Sequence, residues 1–298
     1  MSGAGPARES HPIRGILLLM GAVMAFATME AIVKWLALRN PVAMIVWARY
    51  FFHTLLILVF MAPAMGWGLV RSRRPGLQWL RGAILGVSSL LFFAGLKVLP
   101  LAEAASLTAI APILVTVLGV RLLGERAPAG TAWALALSFS GVLLIVRPGS
   151  AIFTWAALLP LGSALCYAGY QLLTRKLSTI DDGRVSQFIG ALVATLLLSL
   201  LVPFHWQMPE QPLDIALMVA TGAVGGFGHL LLVRAFAAAP VSLLAPFTYA
   251  HLVFALLLGL LVFGNLPDST ALVGMALIVS TGVMMGVRQR RPAEPGRD

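Results

Sequence analysis

The sequence contains few charged residues and a single cysteine. Only 11% of its 298 residues are Asp, Glu, Lys or Arg, whereas about 25% of residues are charged in an ordinary soluble domain. Hydrophobic residues make up 59% of the chain, and the mean hydropathy is +0.93. This composition excludes a soluble enzyme, a nucleic-acid-binding protein and a disordered chain, because apolar segments fill the whole length. We therefore expect an integral membrane protein that has the lipid bilayer as its surroundings.

Motifs for catalysis and for metal binding are also missing. Cys166 lies in an apolar stretch and has no second cysteine to pair with, which excludes an internal disulfide and a Cys-rich metal site. The sequence holds no His-Glu-x-x-His motif, no Gly-x-Ser-x-Gly motif and no Walker A loop. We expect no metal, no cofactor and no ATP hydrolysis by this chain.

Ten apolar segments are long enough to cross a bilayer, which takes about 20 residues at 1.5 Å each. Short breaks rich in Arg, Asp, Pro and Gly separate them, for example Arg147-Pro148-Gly149 and Asp181-Asp182-Gly183. These breaks leave no room for a soluble domain. The predicted spans are residues 13–37, 42–66, 77–99, 101–123, 129–147, 153–177, 185–205, 213–238, 240–263 and 270–287.

The positive charges predict the orientation of these spans. Most of the 21 Lys and Arg residues fall in segments that are cytoplasmic if the N-terminus is inside. The positive-inside rule then puts both termini in the cytoplasm, in agreement with an even number of spans. A competing interpretation is a cleavable signal peptide, since Arg14, the apolar run from Ile16 and Ala25-Phe26-Ala27 resemble one. Cleavage would leave nine spans and destroy the internal repeat described next.

The second half of the chain repeats the first. Gly82 and Gly222, like Pro100 and Pro240, are 140 residues apart. Five spans are an odd number, so two such units would enter the membrane from opposite sides, an arrangement typical of secondary transporters with a substrate site between the units. The sequence thus predicts an all-α integral membrane protein with ten transmembrane helices, arranged as two inverted five-helix repeats over 13–147 and 153–287. Further matches are Gly86 with Gly226, Gly119 with Gly259, Gly124 with Gly264, Glu30 with Gln171, and Gly141 with Gly282.

The chain resembles the drug/metabolite transporter superfamily, and within it the ten-helix proteins that consist of two EamA units. It departs from the family pattern at Asn265, where a Glu commonly ends the corresponding helix, so we assign Asn265 no role. The residues that carry the resemblance are Lys34, Arg49, Leu99-Pro100-Leu101-Ala102-Glu103-Ala104-Ala105, Pro112, Leu123-Gly124-Glu125-Arg126, Ala245-Pro246 and Phe263-Gly264-Asn265.

This resemblance implies a function and a location. The chain is similar to bacterial exporters of amino acids and related metabolites, including an aromatic amino acid exporter group. We therefore expect a secondary or facilitative exporter in the bacterial inner membrane that works by alternating access around a central cavity. Its partners would be a small-molecule substrate and the bilayer, with no nucleic acid.

Charged residues within the first two spans need partners, because a charge near the bilayer centre costs about 2.5–3.5 kcal/mol on insertion scales. These spans form a hairpin, in which Glu30 and Arg49 lie at equal depth. Lys34 follows Glu30 at i+4, a favourable order for an ion pair. We expect Glu30 to pair with Arg49, with Lys34 or with both. The cations are then either structural, or one of them has spare charge for a substrate carboxylate.

Polar and aromatic groups outline the candidate cavity. They concentrate in the first, third, fourth, sixth, eighth and ninth spans, where facing lipid would be costly for polar groups. With Glu30 held ionised, only His229 remains as a proton carrier, so the sequence favours facilitated diffusion. The fifth and tenth spans are simpler apolar helices that could contact lipid or a second copy through Gly282 and Gly286. The candidate cavity residues are Glu30, Lys34, Arg49, Ser89, Phe93, Tyr167, Tyr170, Gln171, His229 and Tyr249.

Three other functions agree less well with the sequence than metabolite export does. A nucleotide-sugar or sugar-phosphate carrier would favour several inward-pointing cations, and only Lys34, Arg49 and Lys97 are available. A membrane-embedded lipid-modifying enzyme would need converging acidic or His residues, whereas Glu30 is the only carboxylate deep in a predicted span. A receptor or accessory subunit fits poorly with the repeat and the short loops.

Overall fold

The structure is a computed structural model that describes residues 12–123, 130–147, 154–239 and 241–288. Every regular element within these ranges is helical. The first half contains α1 (Pro12–Ala37), α2 (Val42–Met65), α3 (Pro75–Val98), α4 (Leu101–Thr108), α5 (Ala111–Leu123) and α6 (Thr131–Val146). The second half contains α7 (Leu158–Leu177), α8 (Gly183–Ser199), α9 (Pro212–Ala238), α10 (Val241–Leu244), α11 (Ala250–Phe263) and α12 (Ser269–Arg288). Short 3₁₀ turns occur at Gly66–Val70, Trp155–Ala157, Val202–Phe204 and Ala245–Tyr249.

Seven helical segments of the described chain are long and apolar enough to cross a membrane. They correspond to the predicted spans one to four and six to eight. The other three predicted spans coincide with shorter apolar helices, at Ala132–Val146, Phe247–Phe263 and Ser269–Met284. The prediction of an all-helical, multi-pass membrane protein is confirmed.

Two predicted spans are not continuous helices. The span predicted over 101–123 divides into α4 and α5, and the span predicted over 240–263 contains α10, the 3₁₀ turn Ala245–Tyr249 and α11. A proline lies close to each break, Pro112 in the first and Pro246 in the second. Proline lacks the amide hydrogen that a helix needs and crowds the preceding turn. At these two positions the helix is therefore interrupted and not merely kinked.

The helices of the two halves pack in a reciprocal pattern. The contact of α1 with α9 corresponds to the contact of α7 with α3 in the other half. The contact of α2 with α9 likewise corresponds to that of α8 with α3. In addition, α2 contacts α8, and α6 contacts α12. Glycines allow the close approaches. A Cβ at Gly82 would lie 2.7 Å from the Val193 Cβ on α8, and one at Gly222 would lie 2.6 Å from the Phe52 Cβ on α2.

Helices α6 and α12 cross at two glycines. A Cβ on Gly141 would lie 2.6 Å from the Gly274 carbonyl oxygen, and the reverse distance is the same. Gly282 is buried, and a Cβ there would overlap the Tyr249 hydroxyl of the same chain. The expectation that Gly282 offers a face to a second copy is therefore wrong, because Tyr249 occupies that space. The surroundings of Gly286 lie outside the described side chains, and a dimer through α6 and α12 stays a prediction.

Candidate substrate site

Arg49 lies at the centre of the bundle, on the side of α2 that faces α3. Its side chain is buried, and Nη1 donates a hydrogen bond to Ser89 Oγ at 3.2 Å. Ser89 Oγ also lies 2.6 Å from the Tyr50 hydroxyl. The Arg49 guanidinium carbon is 4.7 Å from the Tyr50 ring centroid and 5.4 Å from that of Phe93. Aromatic faces attract a cation through the ring quadrupole, so two rings and one hydroxyl hold the guanidinium in place.

The charge of Arg49 is not balanced by a carboxylate in the part of the chain that the structure describes. None of the ion pairs found there involves Arg49. Its Nε is buried and has no hydrogen-bond partner. Gly225 on α9 lies beside it, and a Cβ at Gly225 would be 3.7 Å from Nε. A buried donor without a partner is costly, so this position favours an anionic group of a ligand.

Two histidines stack next to this arginine. The rings of His53 on α2 and His229 on α9 are 5.5 Å apart and nearly parallel, at 11°. Phe26 on α1 contacts His229 edge-on at 4.9 Å, and Gln187 Nε2 on α8 lies 3.4 Å from His53 Nε2. The histidine pair therefore joins the first half of the chain to the second.

A tyrosine pair forms another wall. Tyr167 and Tyr170 on α7 stack at 5.5 Å and 21°. Arg81 on α3 donates to the Tyr170 hydroxyl at 2.7 Å and to Thr174 Oγ1 at 2.6 Å. Tyr167 is 40% exposed.

Glu30 does not pair with Arg49 or Lys34, and that prediction is wrong. Glu30 Oε2 lies 3.1 Å from His251 Nε2 on α11. Lys34 Nζ instead donates to the carbonyl oxygens of Leu96 and Leu99, at the C-terminal end of α3. The last carbonyls of a helix have no partner within the helix and attract a cation. Helix rotation turns Glu30 towards α11 and Lys34 towards α3.

Polar contacts between the halves close both ends of the bundle. At one end, the buried Asp214 of α9 accepts hydrogen bonds from Arg39 at 2.8 Å and from Asn40 at 2.9 Å. A cavity of about 610 Å³ lies at this end and is lined by Arg39, Asn40, Leu90, Lys97, His205 and Gln207, among others. At the other end, Asp181 accepts hydrogen bonds from Ser72, Gln78 and the Arg73 amide.

Comparison with known proteins identifies the family. The model of the EamA-like transporter family matches the chain twice, over residues 13–147 and 154–287. The chain belongs to the EamA-like transporter family. The resemblance found in the sequence is therefore confirmed, and the protein is a multi-pass membrane protein whose family members are transporters.

Named relatives of this EamA-like transporter cover nearly its whole length. The pseudopaline exporter of Pseudomonas aeruginosa is 32% identical over 269 residues, which are 89% of this chain and 93% of the relative. The riboflavin transporter of Vibrio cholerae is 27% identical over 282 residues, 91% and 92% of the two chains. The S-adenosylmethionine uptake transporter of Rickettsia prowazekii is 21% identical over 267 residues, 90% of each.

A solved structure shares the fold. The crystal structure of another protein superimposes with a TM-score of 0.64 at 19% identity, over 93% of this chain and 99% of the other. At this identity the likeness concerns the fold alone.

The structure brings six of the ten predicted cavity residues into one region of the transporter. Lys34 is engaged at the end of α3, Glu30 faces His251, and Tyr249 packs against Gly282. Gln171 is half-buried on α7. These six residues are Arg49, Ser89, Phe93, Tyr167, Tyr170 and His229.

Four residues of this region were missed at the sequence level. His53 follows Arg49 at i+4 on the same helix face, a spacing that could have found it. Arg81 carries no distinguishing spacing, and its guanidinium reaches Tyr170 between α3 and α7. Tyr50 and Gln187 carry no sequence signal, because only the packing of α2 on α3 and α8 turns them inward.

Proposed function

We propose that this EamA-like transporter is a secondary or facilitative exporter of small metabolites that carry a carboxylate, with amino acids as the main substrates. The observation that supports this most directly is Arg49, a buried cation without a carboxylate partner among the described residues. A substrate carboxylate would accept a charge-assisted hydrogen bond from Nε and would neutralise the guanidinium.

The surroundings of Arg49 favour an apolar or aromatic substrate side chain. Phe93 lies on one side of the guanidinium, and the Tyr167–Tyr170 and His53–His229 pairs offer ring faces. Aromatic rings gain from offset or edge contacts beyond the burial of their area. Binding sites of this type combine apolar walls with a few polar groups that orient the ligand.

We further propose ten spans that form two inverted five-helix repeats, over 13–147 and 153–287, with both termini in the cytoplasm of a bacterial inner membrane. The reciprocal packing of the halves and the two matches to one family model support this proposal. During alternating access, the polar contacts at Asp214 and those at Asp181 would then open in turn, one end at a time. Cysteines placed at positions 3 and 296, after replacement of Cys166, should resist labelling from outside in intact cells; ready labelling of either would contradict the topology.

The nucleotide-sugar or sugar-phosphate carrier has less support than it had from the sequence. Lys34 was one of three cations available for phosphate groups, and it is engaged by the carbonyls of Leu96 and Leu99. Arg81 is engaged by Thr174, the Ser186 carbonyl and Tyr170, so Arg49 is left with an unpaired donor, which suits a single carboxylate better than a diphosphate. The relatives of this chain are transporters, so we do not propose an enzymatic activity.

The test is substrate efflux from liposomes that contain the purified protein. The lumen is loaded with radiolabelled phenylalanine, tryptophan, methionine or glutamate, with riboflavin, or with tryptamine, which lacks the carboxylate of tryptophan. We expect efflux of the apolar and aromatic amino acids and no efflux of tryptamine. Equal efflux of tryptophan and tryptamine would contradict recognition of the carboxylate.

The role of Arg49 is tested in the same liposomes. Arg49→Gln should raise the tryptophan concentration for half-maximal transport by about tenfold or more, since that factor corresponds to about 1.4 kcal/mol of binding. Arg49→Lys keeps the charge and should lose less. The matched control is Arg71→Gln, an exposed arginine in the α2–α3 connection, which should transport as the wild type does. Equal behaviour of all three variants would reject Arg49 as the substrate contact.

A further inference from the structure

We propose that Glu30 and His251 form a proton-binding site that drives export by exchange of a proton for the substrate. The inference rests on the proposed function and adds an energy source to it. Glu30 Oε2 and His251 Nε2 lie 3.1 Å apart, and both atoms are buried. Neither atom has a hydrogen-bond partner of good geometry in the described structure. Two buried titratable atoms at this separation have room for one shared proton.

The pair spans the two halves of the transporter. Glu30 lies on α1, and His251 is the second residue of α11, directly after the 3₁₀ turn Ala245–Tyr249. Helices α1 and α11 pack against each other, and α1 also contacts this turn. A separation of α1 from α11 would therefore increase the distance between the two groups. The geometry of a site made from both halves depends on the conformational state of the transporter. Coupling of proton binding to transport requires such a dependence.

Other charges near α1 and α11 are already engaged elsewhere. Among the described residues, Glu30 is the charged group that lies within ion-pair distance of His251. Lys34, one turn along α1, binds the end of α3 and is within electrostatic reach of Glu103 on α4. The remaining groups face other partners: Arg49 on α2 faces Ser89, His229 on α9 faces His53, Arg81 on α3 faces Tyr170, and Tyr249 of the turn faces Gly282.

Charge balance then links the proton to the conformational cycle. With one proton, the pair has no net charge. Without it, a single negative charge is buried, and no cation among the described residues is paired with it. Such a charge costs several kcal/mol inside a membrane protein. When α1 and α11 separate and water enters from one side, the Glu30 carboxylate is hydrated and can release the proton. Each cycle thus takes up one proton from water on one side, holds it between Oε2 and Nε2, and releases it on the other side.

The decisive experiment compares pH-driven accumulation with exchange in liposomes. With an acidic lumen, the wild type should accumulate external tryptophan above the equilibrium ratio, by up to about tenfold for one pH unit. Glu30→Gln and His251→Gln should abolish this accumulation and keep exchange of labelled for unlabelled tryptophan. The control Glu210→Gln changes an exposed carboxylate before α9 and should accumulate as the wild type does. Accumulation by Glu30→Gln or His251→Gln would overturn the proposal.

A second measurement needs no substrate. The protein has five histidines, and ¹⁵N-histidine spectra in nanodiscs separate charged from neutral rings. The His251 signal is identified as the one that is missing from the spectrum of His251→Gln. In the wild type at pH 7 this signal should be that of a charged ring, and in Glu30→Gln it should become that of a neutral ring. An unchanged signal in Glu30→Gln would reject the proton site even if transport fails. Conversely, wild-type exchange without accumulation would reject the coupling and leave the proposed export function intact.

Discussion

The ammonium group of Lys34 lies 2.6 Å from the carbonyl oxygen of Leu99 and donates a hydrogen bond to it. It donates another to the Leu96 carbonyl at 2.9 Å. These oxygens belong to the C-terminal end of α3, where carbonyls lack helical partners and the helix dipole favours a positive charge. Lys34 thus fastens α1 to α3 within the first half and is not free to bind a substrate.

Lys34→Met should therefore lower stability rather than substrate affinity. Loss of the hydrogen bonds from a charged group to two carbonyls is expected to cost about 1.5–3 kcal/mol. Thermal unfolding in detergent measures the effect, and the transport constant for tryptophan should stay near that of the wild type. Lys97→Met, which changes an exposed lysine near the same end of α3, is the control. Equal melting temperatures for the two variants would show that the contact does not stabilise the protein.

Gly222→Ala should destabilise the contact between α2 and α9. The added Cβ would lie 2.9 Å from the Arg49 carbonyl oxygen and 2.9 Å from the His53 amide nitrogen, so the backbones must move apart. Gly169→Ala on α7 is the matched control, because nothing lies within 4 Å of its Cβ position. Alanine is the better helix former by up to about 1 kcal/mol, so this variant should melt at or above the wild-type temperature. A Gly222→Ala protein as stable as Gly169→Ala would contradict the close packing.

Asp181 should make the closure at its end of the bundle sensitive to acid. Partial burial raises the pKa of Asp181, but hydrogen bonds from Ser72, from Gln78 and from the Arg73 amide outweigh this effect and hold its pKa below the usual value. A lowered folded-state pKa means that the contact stabilises the protein above the unfolded pKa, about 3.9 for Asp, and that this contribution is lost as the pH falls through the folded value.

Asp181→Asn should accordingly melt below the wild type at pH 7, and the difference should shrink as the pH is lowered towards 3. Melting temperatures from pH 7 to 3 test the direction. Glu210→Gln serves as the control, since this carboxylate is exposed and should show no such convergence. A constant difference between Asp181→Asn and the wild type at every pH would argue against a role for the ionised carboxylate.

Asp214→Asn should loosen the closure at the other end. The carboxylate accepts hydrogen bonds from Arg39 and Asn40, so removal of its charge weakens both contacts between the halves. In the proposed topology this end faces the periplasm. A Tyr167→Cys reporter, with Cys166 replaced by Ala, should then react several-fold faster with an impermeant thiol reagent added from outside.

The control for this reporter experiment is Asp182→Asn. The ion pair between Asp182 and Arg184, 2.8 Å long, lies within the start of α8 and joins no separate helices. Its loss should leave the labelling rate unchanged. If Asp182→Asn and Asp214→Asn raised the labelling rate equally, the whole helix bundle would be loosened, and the contacts of Asp214 would not specifically close the periplasmic end.

Several features of this transporter could be predicted from the sequence by itself. Length and hydropathy located ten apolar segments, because the bilayer thickness and the rise per residue leave little freedom. In the structure seven of them are long enough to cross a membrane and three coincide with shorter apolar helices. Family motifs such as Leu99-Pro100 with Glu103 identified the transporter class. The 140-residue spacing of Gly82 and Gly222 indicated equivalent helices in the two halves, and both glycines pack closely on a neighbouring helix, since small residues permit helix contact.

Tertiary structure decided which polar residues meet. Glu30 and Arg49 are predicted to lie at equal depth because they are about equally far along the chain from the turn between α1 and α2. Depth along a helix, however, does not define how the helix is rotated about its axis. That rotation depends on how α1 packs on α9, α3 and α11, helices that are distant in sequence. It turns Glu30 to His251 and Lys34 to Leu99, and so leaves the buried charge of Arg49 without a partner in the described chain. Pairing across helices is a property of the assembled bundle, and a single sequence does not encode it in any local pattern.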